Sequence, residues 1–388
     1  MKKLALLLGS LLVVGATASA KEAVVAPVEV SKEVVVVADV VEEVVVEEAF
    51  RPSGYIGLEY KAYGETEGHR DNIPTLNRDK DDLNNVDQDE WNRGANNYAR
   101  LQTTFGIQMT EKSRLEGRIR DYNNLERNDE SNGFKKSGTE TRLRYFYKHT
   151  DVLTSRLQYR DEEDNSQNFE YMLRYNAYQN TGGLLSSVVL APKVYHSMPA
   201  NNGGNYFNMF GANIEFAGNL PLGFTWDGTL FLEQYYFNHD RATDVNSTFN
   251  KATSTTDKSF DVALELYLYR TFGLYSNEIT NVDFNMVAGL DPYKFRQYDM
   301  YSYGKDTPNK NLPLVDGKYQ RGLYTKTARN TYEAQLVLDL TLTHQLTPSV
   351  AIKGGVGAEY RNWDNINQKS ASNWRWQPFA FAGMNVKF

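Results

Sequence analysis

Apolar and polar positions alternate along most of the chain after residue 50, and the alternation is clearest at the C-terminus. Counting back from Phe388 in steps of two gives Val386, Met384, Ala382 and Ala380, while the positions between them are mainly polar or small near the end. Successive side chains of a β-strand point to opposite faces, so this stretch predicts a strand with one apolar face. A final strand of this kind is typical of bacterial outer-membrane β-barrels. The alternative is the last strand of a soluble β-sandwich.

The end of the chain predicts two further features. Phe388, Val386 and Met384 form the terminal apolar pattern that the barrel-insertion machinery would read as an assembly signal. Pro378 lies within the same strand and has no backbone N–H to donate to a ladder, so we expect a bulge or a free edge there.

The same two-residue period returns through the rest of the chain, for example in residues 101–107, 169–175 and 336–342. The runs predict an all-β fold, a transmembrane antiparallel up-and-down β-barrel of about 14 strands of the outer-membrane type. Residues 292–328 are long enough to contain one more hairpin, which would make about 16 strands.

The connections between the predicted strands are of two kinds. Short ones, such as 110–113 and 345–349, alternate with longer polar ones, such as 64–95, 238–257 and 292–328. Outer-membrane barrels have short periplasmic turns and long outer loops. We therefore expect both chain ends on the periplasmic side, and an outer loop, 292–328 or 64–95, folded inward to narrow the lumen.

The first fifty residues differ from the rest of the chain. Residues 1–20 have two lysines, an apolar core and an Ala-Ser-Ala ending, which predict a secretory signal peptide cleaved between Ala20 and Lys21. Residues 21–50 are rich in Val and Glu and are interpreted as a periplasmic tether, either disordered or a short helical segment. Residues 51–388 are the predicted barrel, and the expected location is the bacterial outer membrane.

Composition agrees with a barrel in contact with outer-membrane lipid. The chain has 388 residues, no cysteine, 13% aromatic residues and a mean hydropathy of -0.57. No run after residue 20 is long and apolar enough for a membrane helix. A barrel needs an apolar residue only at every second position, so low mean hydropathy and many aromatics are compatible with it.

The polar positions of the strands carry charges that differ in sign from one part of the chain to another. We expect a basic set to line the pore, namely Arg100, Arg114, Arg118, Arg120, Arg142, Arg144, Lys148, Arg156, Arg160 and Arg174. An acidic pore-lining set is expected on later strands, namely Asp227, Glu233, Asp261, Glu265, Asp283, Glu333 and Asp339.

In a closed barrel of about 14 strands the two sets would lie on opposite walls and create a transverse field. No Lys or Arg is expected on the inner face of the acidic strands. The alternative, pairing of neighbouring Arg and Glu residues that fills the lumen, would leave many arginines and the acidic set without partners.

These patterns favour a general diffusion porin, a water-filled channel for small hydrophilic solutes and ions. The alternative is an outer-membrane adhesin whose loops bind partner cells and whose barrel is an anchor. No catalytic residue is expected, because none of the five histidines joins a nucleophile in a recognisable signature. We expect no cofactor, no nucleic-acid partner and no metal site, since the acidic residues of 79–90 lack calcium-loop spacing.

The N-terminal sequence MKKLALLLGSLLVVGATASAKE, the Val/Glu-rich segment after it and the stretch RPSGYIGLEYKAYG resemble the fusobacterial major outer-membrane porin (FomA) family, as does the C-terminal closing pattern. The resemblance covers these segments and not the middle of the chain. It implies a homotrimer, a voltage-sensitive general porin and a role in adhesion to other bacteria. On this expectation Gly354, Ala358, Ala380, Ala382, Gly54 and Ala62 would provide the close contacts between subunits.

Overall fold

The structure, a computed structural model, describes residues 50–67, 97–125, 138–162, 166–199, 206–246, 251–309, 320–327, 330–363 and 373–388. Sixteen β-strands make up almost all of these residues, with one short 3₁₀ helix at Pro221–Gly223. The strands are β1 (Ser53–Tyr63), β2 (Tyr98–Gln108), β3 (Ser113–Asn124), β4 (Gly138–Lys148), β5 (Leu153–Asp161), β6 (Ser166–Gln179), β7 (Ser187–Pro199), β8 (Phe207–Leu220), β9 (Phe224–Asn246), β10 (Lys251–Ser276), β11 (Thr280–Arg296), β12 (Met300–Asn309), β13 (Gln320–Thr327), β14 (Asn330–Thr347), β15 (Val350–Trp363) and β16 (Asn373–Lys387).

Fourteen of the strands form a closed antiparallel barrel. Strands β1 to β11 follow one another around the wall, and β14, β15 and β16 complete it back to β1. The predicted fold class is therefore confirmed. Residues 292–328 do contain an extra hairpin, β12–β13, but among the described residues it pairs with the wall in register only at Tyr301↔Ala242 of β9. The barrel has fourteen strands because this hairpin stays outside the ring.

The seam of the barrel joins the two ends of the described chain. β16 pairs with β1 from Tyr55↔Lys387 to Tyr63↔Phe379. Beyond that ladder, Gly54 N donates to Phe388 O at 2.8 Å and Phe388 N donates to Gly54 O at 3.0 Å. The C-terminal strand closes the barrel, as its alternation predicts.

The bulge expected at Pro378 does not occur. Pro378 pairs with Ala358 of β15 without a register shift, and it lies where the ladder to β1 ends. Gly64 N donates to Pro378 O at 2.8 Å, but proline cannot return a hydrogen bond to the Gly64 carbonyl. The buried Gln377 side chain does so instead, since its Nε2 donates to Gly64 O at 3.1 Å. The backbone N–H of Asn97 also donates to Gly64 O, at 3.3 Å, so this carbonyl has two donors although proline supplies none.

The connection expected at 238–257 is mostly strand. β9 and β10 continue through it as a two-stranded extension as far as Asn246 and Lys251, with several register shifts. The segment contains no Gly or Pro and has many Thr residues, which favour extended backbone. Cross-strand bonds from Thr253 to Asp244 and from Thr255 to Asp240 stabilise it.

Connections of two to seven residues join the strands at one end of the barrel, in the hairpins β2–β3, β4–β5, β6–β7, β8–β9, β10–β11 and β14–β15. Within the described ranges, no helix is long and apolar enough to cross a membrane. The predicted signal peptide and almost all of the tether lie outside the described residues.

Candidate functional site

On the barrel wall, charged side chains are buried and large apolar side chains are exposed, which is the opposite of a soluble protein. Glu140, Glu170 and Asp261 are buried, whereas Phe210 and Val356 are 55% and 59% exposed. Carboxylates are almost never fully buried in soluble proteins unless they are paired, and large apolar side chains usually are. The polar face is therefore the inner face of the closed wall, and the apolar face is turned outward, as in a barrel surrounded by lipid.

All ten predicted basic residues lie at alternate positions of β2 to β6, on the polar face. The prediction that many of them lack partners is wrong for eight. Their carboxylate partners within 4 Å are Glu59 for Arg100, Glu116 for Arg114, Glu140 for Arg118, Arg120 and Arg160, Asp151 for Lys148, Glu170 for Arg156, and Glu215 for Arg174. Arg142 and Arg144 are the exceptions among the described residues.

Glu140 is the centre of the largest ionic cluster on the wall. Arg118 donates directly to Glu140, and guanidinium nitrogens of Arg120 and Arg160 lie 3.6 Å from its oxygens. Three strands, β3, β4 and β5, supply these four residues. A buried carboxylate tolerates burial when several cations surround it, so Glu140 holds the three strands together electrostatically.

The predicted acidic residues lie on β9, β10, β11 and β14. The expectation that no basic residue shares their inner face is wrong. Nitrogens of Lys294 and Arg296 lie 3.5 Å from Asp261, and Lys193 of β7 lies 2.8 Å from Glu233. The pairing of β11 shifts register between Leu290 and Tyr293, and this extra residue turns Lys294 and Arg296 from the outer face to the inner one.

The charge segregation remains after these corrections. On β2 to β6, ten basic residues against Glu116, Glu140 and Glu170 leave an excess of seven positive charges on the inner face. On β9, β10, β11 and β14, seven acidic residues against Lys294 and Arg296 leave an excess of five negative charges. The strand order places the centres of the two sets about half the circumference apart.

A third ionic group, on β15, β16 and β1, is not part of either predicted set. Lys61 pairs with Glu359 at 3.1 Å, and Lys353 pairs with Glu59 at 2.5 Å. Both pairs span β16, the strand between them. Gly383 lies directly between Lys353 and Glu59, where an added Cβ would come within 3.1 Å of Lys353 Cε. The sequence signal for such a pair is a glycine on the middle strand whose side of the sheet also carries opposite charges on the two neighbouring strands.

A second ion pair also spans a glycine on the strand between its two members, and it lies between the basic strands and the acidic strands. Gly211 of β8 lies between Lys193 and Glu233, which meet across it. These contacts join residues forty positions apart in sequence. They are found only once the strand register is known.

Aromatic side chains also occupy the inner face, and the sequence analysis gave them no role. Tyr63 and Tyr98 stack at 4.4 Å between ring centroids, and Lys61 Nζ lies 3.5 Å above the Phe379 ring. On the opposite wall Phe207 lies 5.4 Å from Tyr235. These rings lie toward the end of the barrel opposite the short turns.

A cavity of about 370 Å³ lies on the inner face near the short turns, and Arg114, Lys148, Arg174 and Phe146 are part of its lining. Asp151, in the β4–β5 turn beside it, accepts a hydrogen bond from Lys148, which lowers the pKa of the aspartate. Three residues of the basic set therefore lie around one cavity near that end of the barrel.

His149, His196 and His344 each bond to a single polar neighbour, and none of these neighbours continues into a catalytic series. His196 contacts Asn208 at 2.8 Å, and His344 contacts Thr280 at 2.9 Å. The described ranges contain no group of three or more His, Asp or Glu residues that could hold a metal ion. The acidic residues of 79–90 lie outside the described residues.

The comparisons with known proteins give similarity in fold. The chain is similar to a bacterial polysaccharide outer membrane secretin at 10% identity and a TM-score of 0.40, covering 86% of this chain and 98% of that one. It is also similar to the outer membrane channel DcaP of Acinetobacter baumannii, at 8% identity, a TM-score of 0.32 and 87% and 96% coverage. The anion-selective porin from Comamonas acidovorans matches at 9% identity, a TM-score of 0.31 and 87% and 99% coverage.

No family model matches the chain, and no curated protein matches it. Likeness at these identities and TM-scores carries no argument about function. The closed antiparallel wall, the exposed apolar outer face and the ionic inner face define the class on their own: the chain is a transmembrane β-barrel of the outer-membrane type.

Proposed function

We propose that the protein is a general diffusion porin, which forms a water-filled channel for small hydrophilic solutes and ions across the bacterial outer membrane. The observation that carries the proposal is an ionic inner face that water still reaches. The side chains of Arg120, Arg174 and Arg296 remain 23%, 29% and 27% exposed inside the closed wall. Charged groups that keep part of their hydration line an aqueous space rather than a packed core.

The number of strands supports a channel. Barrels of about 8 strands are filled by their own side chains, and those of about 16 to 18 strands leave an aqueous channel. Fourteen strands lie close to the second group. The adhesin alternative is not favoured, because a barrel of this width used only as an anchor needs a plug or a filled interior.

The family relationship is part of the proposal. The N-terminal sequence and the Val/Glu-rich segment support kinship with the fusobacterial major outer-membrane porins. On this basis the channel is voltage-sensitive and not an enzyme. The signal peptide takes the chain to the periplasm, and the insertion machinery recognises Phe388, Val386 and Met384.

We also propose a homotrimer. The small outward residues of the seam form one patch, since Gly354 faces Ala382 and Ala380 faces Ala62 across the ladders. Small residues let neighbouring backbones approach closely in a membrane. Chemical cross-linking in native membranes should yield trimers, and recovery of monomers alone would contradict this part of the proposal.

Proteoliposome swelling tests the proposed function directly. Vesicles that contain the folded protein should swell in isotonic solutions of small neutral sugars, at rates that fall as the sugar becomes larger. Vesicles prepared with the heat-denatured protein are the control. Equal swelling of both preparations would refute the porin, because neutral solutes need only an open aqueous path.

A further inference from the structure

Arg142 lies in the middle of the basic wall with an arginine on each side. Its cross-strand partner on β3 is Arg118, and its partner on β5 is Arg160. Directly opposite residues of an antiparallel pair have Cβ atoms about 4.5–5.5 Å apart, so the three guanidinium groups can reach a common point. The row is unusual because like charges opposite each other destabilise a sheet.

The carboxylates nearby do not balance this row. Glu140 bonds to Arg118 and contacts Arg120 and Arg160, and Glu162 lies 3.5 Å from Arg160. Arg142 has neither an ion pair nor a hydrogen bond among the residues that the structure describes. Four arginines against two carboxylates leave two positive charges in excess, and no described acceptor takes a hydrogen bond from Arg142.

A second arginine in the row keeps only long ionic contacts. Nε of Arg160 lies 3.6 Å from Glu140 and its Nη1 lies 3.5 Å from Glu162, and the side chain is 37% exposed. Guanidinium groups present N–H donors in a planar fork that matches two oxygens of a phosphate or carboxylate group. The row therefore offers charge, free donors and geometry that suit one kind of ligand.

We infer that Arg142, flanked by Arg118 and Arg160, is a binding site for a small oxyanion, a phosphate or carboxylate group, on the inner wall of the barrel. The inference deepens the proposed function, because it names the class of solute that the channel would hold during passage. A spherical ion such as chloride gains the charge but not the paired hydrogen bonds, so the site distinguishes oxyanions from chloride.

Binding is tested on the detergent-folded protein with inorganic phosphate as the probe, followed by ³¹P NMR at constant ionic strength maintained with chloride. The wild-type protein should bind phosphate saturably. Arg142→Gln should weaken binding about tenfold, because charge-assisted bidentate bonds are lost. Arg142→Lys keeps the charge but not the fork, and it should bind more weakly than the wild type and more tightly than Arg142→Gln.

Arg114→Gln is the matched control. Arg114 lies on the same face of β3 and its loss removes the same single charge, but it is already paired with Glu116 at 2.7 Å. The control should change phosphate affinity less than about twofold. Equal weakening of phosphate binding by Arg142→Gln and Arg114→Gln would show that phosphate responds to the net positive charge of the wall and not to a specific site. Absence of saturable phosphate binding to the wild-type protein would also overturn the inference.

The two proposals fail separately. The NMR measurement needs a folded barrel and no conduction, so phosphate binding without sugar-driven swelling would leave the oxyanion site standing and refute the porin. Sugar-driven swelling without phosphate binding would support the porin and refute the oxyanion site.

Discussion

A buried residue, Gln377, donates to the Gly64 carbonyl at the barrel seam, where Pro378 has no N–H to donate, and Asn97 N donates to the same oxygen at 3.3 Å. Proline inside a ladder would ordinarily leave the opposite carbonyl without its backbone donor. Here the Gln377 side chain and the Asn97 N–H both donate to that carbonyl, and the pairing with β15 has no bulge at Pro378. Sequence alone identified Pro378 as the irregular position, but it could not show that the neighbouring amide reaches Gly64.

Replacing Gln377 with Leu should lower the free energy of unfolding by about 1–3 kcal/mol, because the Gly64 carbonyl and its surroundings lose a buried hydrogen bond. Urea unfolding in lipid vesicles, followed by tryptophan fluorescence, measures the change. In a Pro378→Ala background a backbone N–H becomes available, and the same substitution should then cost less. Equal costs in both backgrounds would mean that the two residues do not act together.

At the scale of elements, β3, β4 and β5 are joined by one carboxylate that serves three arginines. Glu140 has a side chain that is 8% exposed, and it is the partner shared by Arg118, Arg120 and Arg160. Arg142, in the same row, has no carboxylate partner among the described residues. The two residues therefore make opposite contributions to stability although they are two positions apart.

Glu140→Gln should destabilise the folded barrel by about 1–3 kcal/mol, since three part-exposed arginines lose the carboxylate that they share. Arg142→Gln should instead raise the free energy of unfolding by about 0.5–1 kcal/mol in phosphate-free buffer, because it removes repulsion between directly opposite charges. The same urea titration measures both. Destabilisation by Arg142→Gln would show that the residue has a structural partner.

The strands could be predicted from sequence because lipid outside and water inside impose a two-residue period on every one of them. The alternation identified the fourteen wall strands, and the lining of the pore by the two charged sets stays a prediction. It failed where the period was interrupted. A register shift between Leu290 and Tyr293 reversed the faces of β11, so Lys294 and Arg296 were not expected inside. Periodicity contains no information about such shifts.

Ion pairing could not be predicted for a different reason. Arg174 and Glu215 lie on β6 and β8 and meet across β7. The pairing depends on the register of three strands and on small residues between them. The residues of each wall are therefore predictable from sequence, and their partners are not. Local Arg–Glu pairing and net charges of opposite sign on the two walls occur together. The two interpretations of the inner face, a transverse field and local pairing, are therefore compatible.

For the whole molecule, the excess charges on opposite walls should govern ion selectivity. Arg142 and Arg144 lack a carboxylate within 4 Å, and Asp227 and Asp283 lack a cation within 4 Å, among the residues described. The double variant Arg142→Gln/Arg144→Gln should shift the reversal potential in a KCl gradient toward cation selectivity. The double variant Asp227→Asn/Asp283→Asn should shift it by a similar amount in the other direction.

Both shifts should shrink at about 1 M salt, where the screening length is about 3 Å. Each double variant removes two charges from groups without a described ionic partner, so each is the other's matched control. Reversal potentials that stay unchanged in both variants would show that these residues do not line the conducting path. A shift of the same sign in both would exclude an effect of charge.

Single-channel recording of the purified protein in planar lipid bilayers shows whether the barrel encloses a continuous aqueous path. We expect discrete conductance steps that rise with the bulk conductivity of the electrolyte between about 0.1 M and about 1 M KCl, with modest selectivity because of screening. A protein that is shown to be folded and inserted, yet gives no conductance steps, would contradict this expectation.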